Sequence, residues 1–218
     1  MYFSQCQEDE YLHKNFFFNK KNGVYIELGA LDGVDISNTK FFEDTLNWTG
    51  ILIEPHPEKY KLLEINRPNN FLFNDLVSCY TDPLQFRYFI DEFSPVSGVE
   101  STLPQEHLDK YFESNDDYKK SIPQTRIMIQ PKTFTEIIKK TNLTYIDFLS
   151  LDVEGHEYEV LKSWDFSIPI YLILIEVLGI EPERENLCKE ILINNGYKFI
   201  TKFKHNEIYI LEEYKVNY

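Results

Sequence analysis

The sequence predicts an α/β fold: a seven-stranded, mostly parallel sheet with helices on both faces and an antiparallel hairpin at its carboxyl-terminal end. Three observations carry this. Strand-like and helix-like segments alternate along the chain, the pattern of βαβ units around a parallel sheet. An apolar strand, Val24–Leu28, runs into a glycine-bearing loop, and the next strand, residues 51–53, ends on Glu54. Two β-rich runs, Tyr197–Phe203 and residues 207–211, flank Lys204-His205-Asn206 as the strands of a hairpin do.

Each element has its own signal. Residues 8–18 read as an N-terminal helix, and residues 37–46 as a second, with Phe41, Phe42 and Leu46 on one face. Pro57 opens a helix to residue 65, since its fixed φ suits the first helical turn. Residues 71–77 read as the third strand, 85–90 as a short added strand, and 126–130 alternate in a strand-like way. Thr133, with Glu136 three residues on, makes a capping box for a helix over 133–140. Residues 145–151 and 171–176 are two buried strands separated by a helix over 157–164. A last helix, 183–194, is stopped by Asn195-Gly196. Residues 91–125 break the tight alternation, being rich in Ser, Pro, acids, Tyr and Phe. A long insertion above a sheet edge reads as a lid or binding surface, or as a plain surface loop.

At 218 residues, with 43% hydrophobic and 16% aromatic content, the chain suits a single domain over 1–218 with a real core. A net charge of -14 disfavours a nucleic acid or an anionic membrane surface as partner. The N-terminus lacks a basic region followed by an apolar core, so no signal peptide is read there and a cytoplasmic location is expected. The most apolar stretch, 168–180, is too short to span a bilayer. Cys6, Cys79 and Cys188 are too few and too widely spaced for a disulfide framework or a zinc motif. A homo-oligomer is compatible with the sequence.

Two motifs carry chemistry. The first is Glu27-Leu28-Gly29-Ala30-Leu31-Asp32-Gly33, followed by Glu54-Pro55. Glycines let backbone approach a nucleoside, and a carboxylate at the next strand end can bind ribose hydroxyls. Asp32 and Asp35 stand where a dinucleotide would place its pyrophosphate, which disfavours a nicotinamide dehydrogenase. S-adenosylmethionine has no phosphate and carries a sulfonium and an ammonium, so an acidic pocket suits it. The second motif is Asp152-Val153-Glu154-Gly155-His156-Glu157, with Glu176 closing the next strand. Several acids at adjacent strand ends need a cation, a donor or water to satisfy them.

Together these pieces resemble the FkbM family of S-adenosylmethionine-dependent methyltransferases. The matching residues are Ser4-Gln5-x-x-Glu8-Asp9, Glu27-x-Gly29-Ala30-x-x-Gly33, Ser37-Asn38-Thr39, Trp48-x-Gly50-x-x-x-Glu54-Pro55, Asp147-x-x-x-x-Asp152-x-Glu154-Gly155-x-Glu157 and Ile175-Glu176. The resemblance implies a class I, Rossmann-like methyltransferase fold and O-methylation of sugars or of glycosylated or polyketide metabolites.

On that reading Glu27, Gly29, Ala30 and Gly33 shape the methionine end of the pocket. Glu54 and Pro55 hold the ribose, and Asp75 to Ser78 lie near the adenine. Asp152 and Glu154 are candidate bases or metal ligands. His156 is a further candidate base, though a first-turn histidine is often solvated. A Mg²⁺ or Mn²⁺ ion on Asp152 and Glu176 would lower the pKa of an acceptor hydroxyl. Gln5, Glu8 and Asp9 either close over the ligands or cap the first helix. The expected acceptor is a small molecule or glycan with a free hydroxyl, held under Phe93, Tyr111, Phe112 or Tyr118; the same rings could simply pack the insertion. Rival readings are a methyltransferase for a non-sugar metabolite and a nucleoside-binding module without catalysis.

Overall fold

A computed structural model describes residues 1–90 and 93–212; Asp91 and Glu92, which open the expected insertion, and residues 213–218 lie outside it. In chain order the elements begin with α1 (Glu8–Leu12), which continues as a π-helical turn over His13–Phe17, then β1 (Val24–Leu28), α2 (Lys40–Leu46), β2 (Thr49–Ile53), α3 (Pro57–Asn66) and β3 (Phe71–Phe73). Next come β4 (Leu84–Phe89), β5 (Gly98–Val99), α4 (Gln105–His107), a π-helical turn over Leu108–Phe112, α5 (Asp117–Ser121) and β6 (Gln124–Ile129). The chain closes with α6 (Phe134–Lys139), β7 (Ile146–Leu151), α7 (Glu157–Lys162), β8 (Ile170–Glu176), α8 (Pro182–Asn194), β9 (Tyr197–Phe203) and β10 (Asn206–Leu211).

Seven strands form the main sheet in the order β3-β2-β1-β7-β8-β10-β9. Pairings from β3 through β8 are parallel; β10 runs antiparallel to both β8 and β9. This is the class I methyltransferase arrangement that the sequence predicts. The chain reverses across β1, so ligand-sized space opens at the carboxyl ends of β1 and β7.

Alternation along the strands splits the core into two layers. Ile26, Leu149 and Ile173 face α6, α7 and α8 through Phe134, Ile137, Val160, Leu161 and Leu192. Tyr25, Phe148 and Leu172 face α1, α2 and α3 through Leu12, Phe17, Phe42 and Leu63. All of these side chains are buried, as strands covered on both faces require. Asp147 is fully buried on β7, where it accepts from Lys20 Nζ at 2.5 Å and from Val24 N–H at 2.9 Å, tying β7 to the start of β1. No helix among the described residues is long and apolar enough to cross a membrane.

Three expectations shift. The third strand stops at Phe73 instead of reaching residue 77. Asn74 turns its amide to the Glu54 carbonyl at 2.8 Å, and Val77 leaves to bridge Lys132. The helix expected from residue 37 begins at Lys40, because Ser37, Asn38 and Thr39 are held by the Glu27 carboxylate. The insertion carries its own structure. β4 pairs antiparallel with both β5 and β6 in a separate three-stranded sheet, over a small core of Leu76, Phe86, Tyr88 and Val99.

Candidate active site

A cavity of about 420 Å³ opens at the carboxyl ends of β1, β2, β7 and β8 and is roofed by the insertion. That volume lies within the range of small-molecule sites. Gly29, Leu31, Glu54, Pro55, Asp75, Leu76, Val77 and Phe86 line one half. Asp152, Glu154, His156 and Glu176, with His107, Lys110 and Tyr111 of the insertion, line the other.

In the first half, Glu54 is held from both sides: Oε1 accepts from His56 N–H at 2.8 Å and Oε2 from Leu31 N–H at 2.7 Å. Each oxygen keeps a second lone pair for a ligand hydroxyl. Burial pushes this carboxyl up to about 7. Gly29 has φ +80, and a Cβ there would lie 2.0 Å from the Asp152 carbonyl, so only glycine lets β7 end this close to the loop. These residues fit a nucleoside with a cationic tail: an anchored carboxylate for a diol, apolar walls for a base, and acids beyond.

Four expected cofactor residues do not line the cavity. Glu27 is buried behind it and spends its carboxylate on Ser37 Oγ, Thr39 Oγ1 and Asn38 N–H. Gly33 is glycine because Arg67 Cγ and Leu63 Cδ1 would lie 2.6 Å from a Cβ, and its carbonyl accepts from Arg67 at 2.7 Å. Ala30 is buried with its N–H on the Ile53 carbonyl. Ser78 is buried and accepts from Tyr80 N–H. They hold the loop in place; of the expected residues, Gly29, Glu54, Pro55 and Asp75 line the cavity. Asp32 also turns inward, capping Val34 and Asp35 N–H at 2.9 Å. The acidity that disfavours a pyrophosphate therefore comes from Glu54, Asp75, Asp152, Glu154 and Glu176.

In the second half the acids hold one another's protons. Asp152 and Glu176 hydrogen-bond, and withdrawal from water pushes Asp152 up to about 6. Glu176 is raised further, first by burial and then by the charges of Asp152, Glu154 and Glu157. Glu176 is thus the protonated donor and Asp152 the acceptor. Burial and Asp152 also raise Glu154, whose Oε2 lies 3.4 Å from His107 Nδ1. Since His107 Nε2 lies 2.9 Å from the Val96 carbonyl, a donor there leaves Nδ1 to accept from the Glu154 carboxyl. Glu157 does not enter the cavity; it accepts from Val153 and Gly155 N–H and fixes the turn after β7.

His156 lies in the wall but is a poor base. Burial and nearby Arg184 lower it to about 3. Its Nδ1 lies 2.9 Å from Thr102 Oγ1, and Nε2 has no hydrogen-bond partner among the described residues. With the Thr102 hydroxyl directed to the Val99 carbonyl, Nδ1 donates and Nε2 keeps a bare lone pair. The divalent-ion expectation for Asp152 and Glu176 finds no support. No group of three His, Cys, Asp or Glu side chains among the described residues converges as a metal site, and these two carboxyls face each other through a shared proton.

The insertion residues divide as well. Tyr111 reaches the cavity, whereas Phe112 stacks on Phe89 with centroids 4.5 Å apart, and Phe93 packs beside them. Tyr118 is exposed and does not line the cavity. His107 and Lys110 carry no sequence signal, because short irregular helices without a repeat place them.

The methyltransferase FkbM domain matches residues 27–209. No protein of curated function matches the chain. Three solved structures show low similarity. One, assigned as a sarcosine dimethylglycine methyltransferase from Galdieria sulphuraria, has a TM-score of 0.44 at 10% identity, covering 90% of this chain and 63% of that one. The fibrillarin pre-rRNA processing protein of Methanococcus jannaschii has a TM-score of 0.41 at 15% identity, covering 89% and 68%. Precorrin-6y C5,15-methyltransferase of Geobacter metallireducens GS-15 has a TM-score of 0.37 at 13% identity, covering 88% and 80%. The chain spans less than two thirds of the first of these. With the FkbM match running through both halves of the cavity, the chain belongs to the FkbM methyltransferase domain family.

Proposed function

We propose that the chain transfers a methyl group from S-adenosylmethionine to a hydroxyl of a sugar or glycan. The observation that carries this reading is one continuous cavity with two chemistries. An anchored carboxylate and apolar walls lie at the β1–β2 end, and a proton-sharing acid pair lies at the β7–β8 end. When bound, S-adenosylmethionine supplies an electrophilic methyl on a sulfonium. Asp152 accepts the proton of the attacking hydroxyl; the new C–O bond forms as the C–S bond breaks, leaving S-adenosylhomocysteine. With its acidity near 6, Asp152 is ionised at neutral pH yet basic enough to hold that proton. Glu176, protonated, keeps Asp152 oriented. The carboxyl of Glu154 offers a hydrogen bond to a further hydroxyl, and Tyr111 offers a flat face to a sugar ring. Polyhydroxylated acceptors satisfy such a lining; a polyanion would meet its acids.

The test is transfer of labelled methyl from S-adenosylmethionine across a panel of free sugars, nucleotide sugars and glycans, with non-sugar alcohols alongside. The expected result is label on a sugar hydroxyl, located by mass spectrometry. Label found only on non-sugar metabolites would contradict the sugar reading.

A further inference from the structure

Residues 2–9 lie outside the matched domain yet supply part of the cavity wall, through Gln5. This segment is a strap across the carboxyl edge of the sheet. At one end Ser4 forms a parallel bridge with Ile36, and its hydroxyl donates to the Ser37 carbonyl at 3.5 Å. At the other end Glu8 Oε1 accepts from Asn206 Nδ2 at 3.3 Å, fastening the strap to the start of β10. Between these two anchors lie the ends of β1, β7 and β8.

The strap's backbone is fixed by its own acids. Asp9 Oδ2 accepts from Phe3 N–H at 2.6 Å and Ser4 N–H at 3.4 Å, and Glu8 Oε2 accepts from Cys6 N–H at 2.9 Å. Asp9 and Glu8 are buried, and their carboxylates hold the strap itself rather than cap the helix, whose N-cap is Gln7. Gln5 is different. Its side chain makes no hydrogen bond to another described residue and stands at the cavity mouth with Ile36, Gly29, Asp152 and Glu176. The backbone around it is strained: Gln7, Leu31 and the β-branched Ile36 have φ of 69, 50 and 54. Such conformations persist where surrounding structure imposes them, and they cluster at ligand sites.

The chemistry of this corner is lopsided. Asp152, ionised, and the carbonyl oxygen of the protonated Glu176 suit an ammonium. An α-carboxylate in the same place needs a neutral donor, because Lys110, the one lysine or arginine lining the cavity among the described residues, stands over Tyr111 on the insertion. We infer that Gln5 is the donor: its amide hydrogen-bonds the α-carboxylate of the cofactor's amino-acid end, and the strap closes that end of the site. This rests on the S-adenosylmethionine reading above.

Two ligands separate the ends of the cofactor. S-adenosylhomocysteine carries the amino-acid tail; 5′-methylthioadenosine has the adenosine and thioether but no tail. Calorimetric titration of the full chain should show Gln5→Ala weakening S-adenosylhomocysteine by about tenfold or more, the worth of one hydrogen bond to a charged group. Affinity for 5′-methylthioadenosine should stay within about twofold of wild type, since nothing in that ligand reaches Gln5. Gln5→Glu, which sets a carboxylate against a carboxylate, should weaken the tailed ligand more than Gln5→Ala does. Equal losses for both ligands, or no loss for either in the two variants, would overturn the assignment to Gln5 alone. A wild-type chain that binds neither ligand would instead overturn the reading of the cavity, and this inference with it.

Discussion

Asp152 is where the chemistry concentrates. Replacing it with Asn keeps the shape and the hydrogen bond to Glu176 but removes the proton acceptor. Turnover at saturating cofactor should fall by roughly 10²–10⁴-fold, the ordinary worth of a general base. For the wild type, kcat/KM should rise with pH through about 6, as Asp152 loses its proton, and Asp152→Asn should lose that limb. His156→Phe should keep it, because a histidine lowered to about 3 does not titrate in that range. A limb lost in His156→Phe and retained in Asp152→Asn would exchange their roles. Asp152, Glu154 and Glu176 were legible in the sequence because each ends a buried strand or the turn just after it, and strand ends define the ligand edge. Glu27 and Gly33 were legible as important but not in their roles. Whether a carboxylate faces a ligand or its own loop depends on where Ser37, Thr39 and Arg67 fold back, which no local pattern encodes.

At the scale of elements, α3 is fastened to β4. His56 caps it, with Nδ1 accepting from Glu58 N–H at 3.2 Å and Lys59 N–H at 3.4 Å. The opposite ring nitrogen reaches the Phe89 carbonyl at 2.8 Å, and the ring packs on Tyr88 with centroids 4.5 Å apart. One imidazole thus ties the residues after Glu54 to the end of β4, where the chain enters the insertion. His56→Ala should cost about 1 kcal/mol for the lost cap, lowering the melting temperature by about 2–4 °C. Limited proteolysis should then cut the insertion faster. An unchanged cleavage pattern would show that the insertion is held without His56. The Thr133 capping box formed as its sequence spacing implies, with Glu136 N–H on Thr133 Oγ1 at 3.1 Å. Strand three did not extend as far as its apolar run, because an Asn74 side chain and a bridge to Lys132 drew the chain away. Local signals fixed the capped helices and the buried strands. The two long strands flanking the insertion were legible at 85–90 and 126–130, but their pairing and the two-residue β5 were not, since a stretch without periodicity separates β4 from β6.

The molecule as a whole stores unfavourable charge at its ligand edge. Glu54 and Glu157 are each pushed up to about 7 by burial, Asp152 to about 6, and Glu154 and Glu176 are raised as well. An acid raised by folding contributes stability that is fully present below its unfolded value and lost as pH rises through its folded value. The buried histidines act oppositely below about 6.5, where their unfolded forms take up protons. Above that the histidines are neutral in both states and the acids dominate. The melting temperature of the ligand-free chain should therefore fall from pH 6.5 to 8, and S-adenosylmethionine should offset the fall by placing positive charge among the acids. A flat or rising melting temperature over that window would show that these acids are better solvated than their surroundings indicate.

The central claim is that this acidic cavity holds S-adenosylmethionine with Glu54 on the ribose. Titration calorimetry of S-adenosylmethionine against the wild-type chain and Glu54→Ala, with NAD as the competing nucleoside ligand, tests it most directly. The wild type should bind S-adenosylmethionine and give no heat with NAD. Folded Glu54→Ala should bind more weakly by about 1.5–3 kcal/mol, since a charged acceptor of hydrogen bonds is lost, or about ten- to a hundredfold in Kd. Unchanged affinity in a folded Glu54→Ala chain, or binding of NAD in place of S-adenosylmethionine, would contradict it.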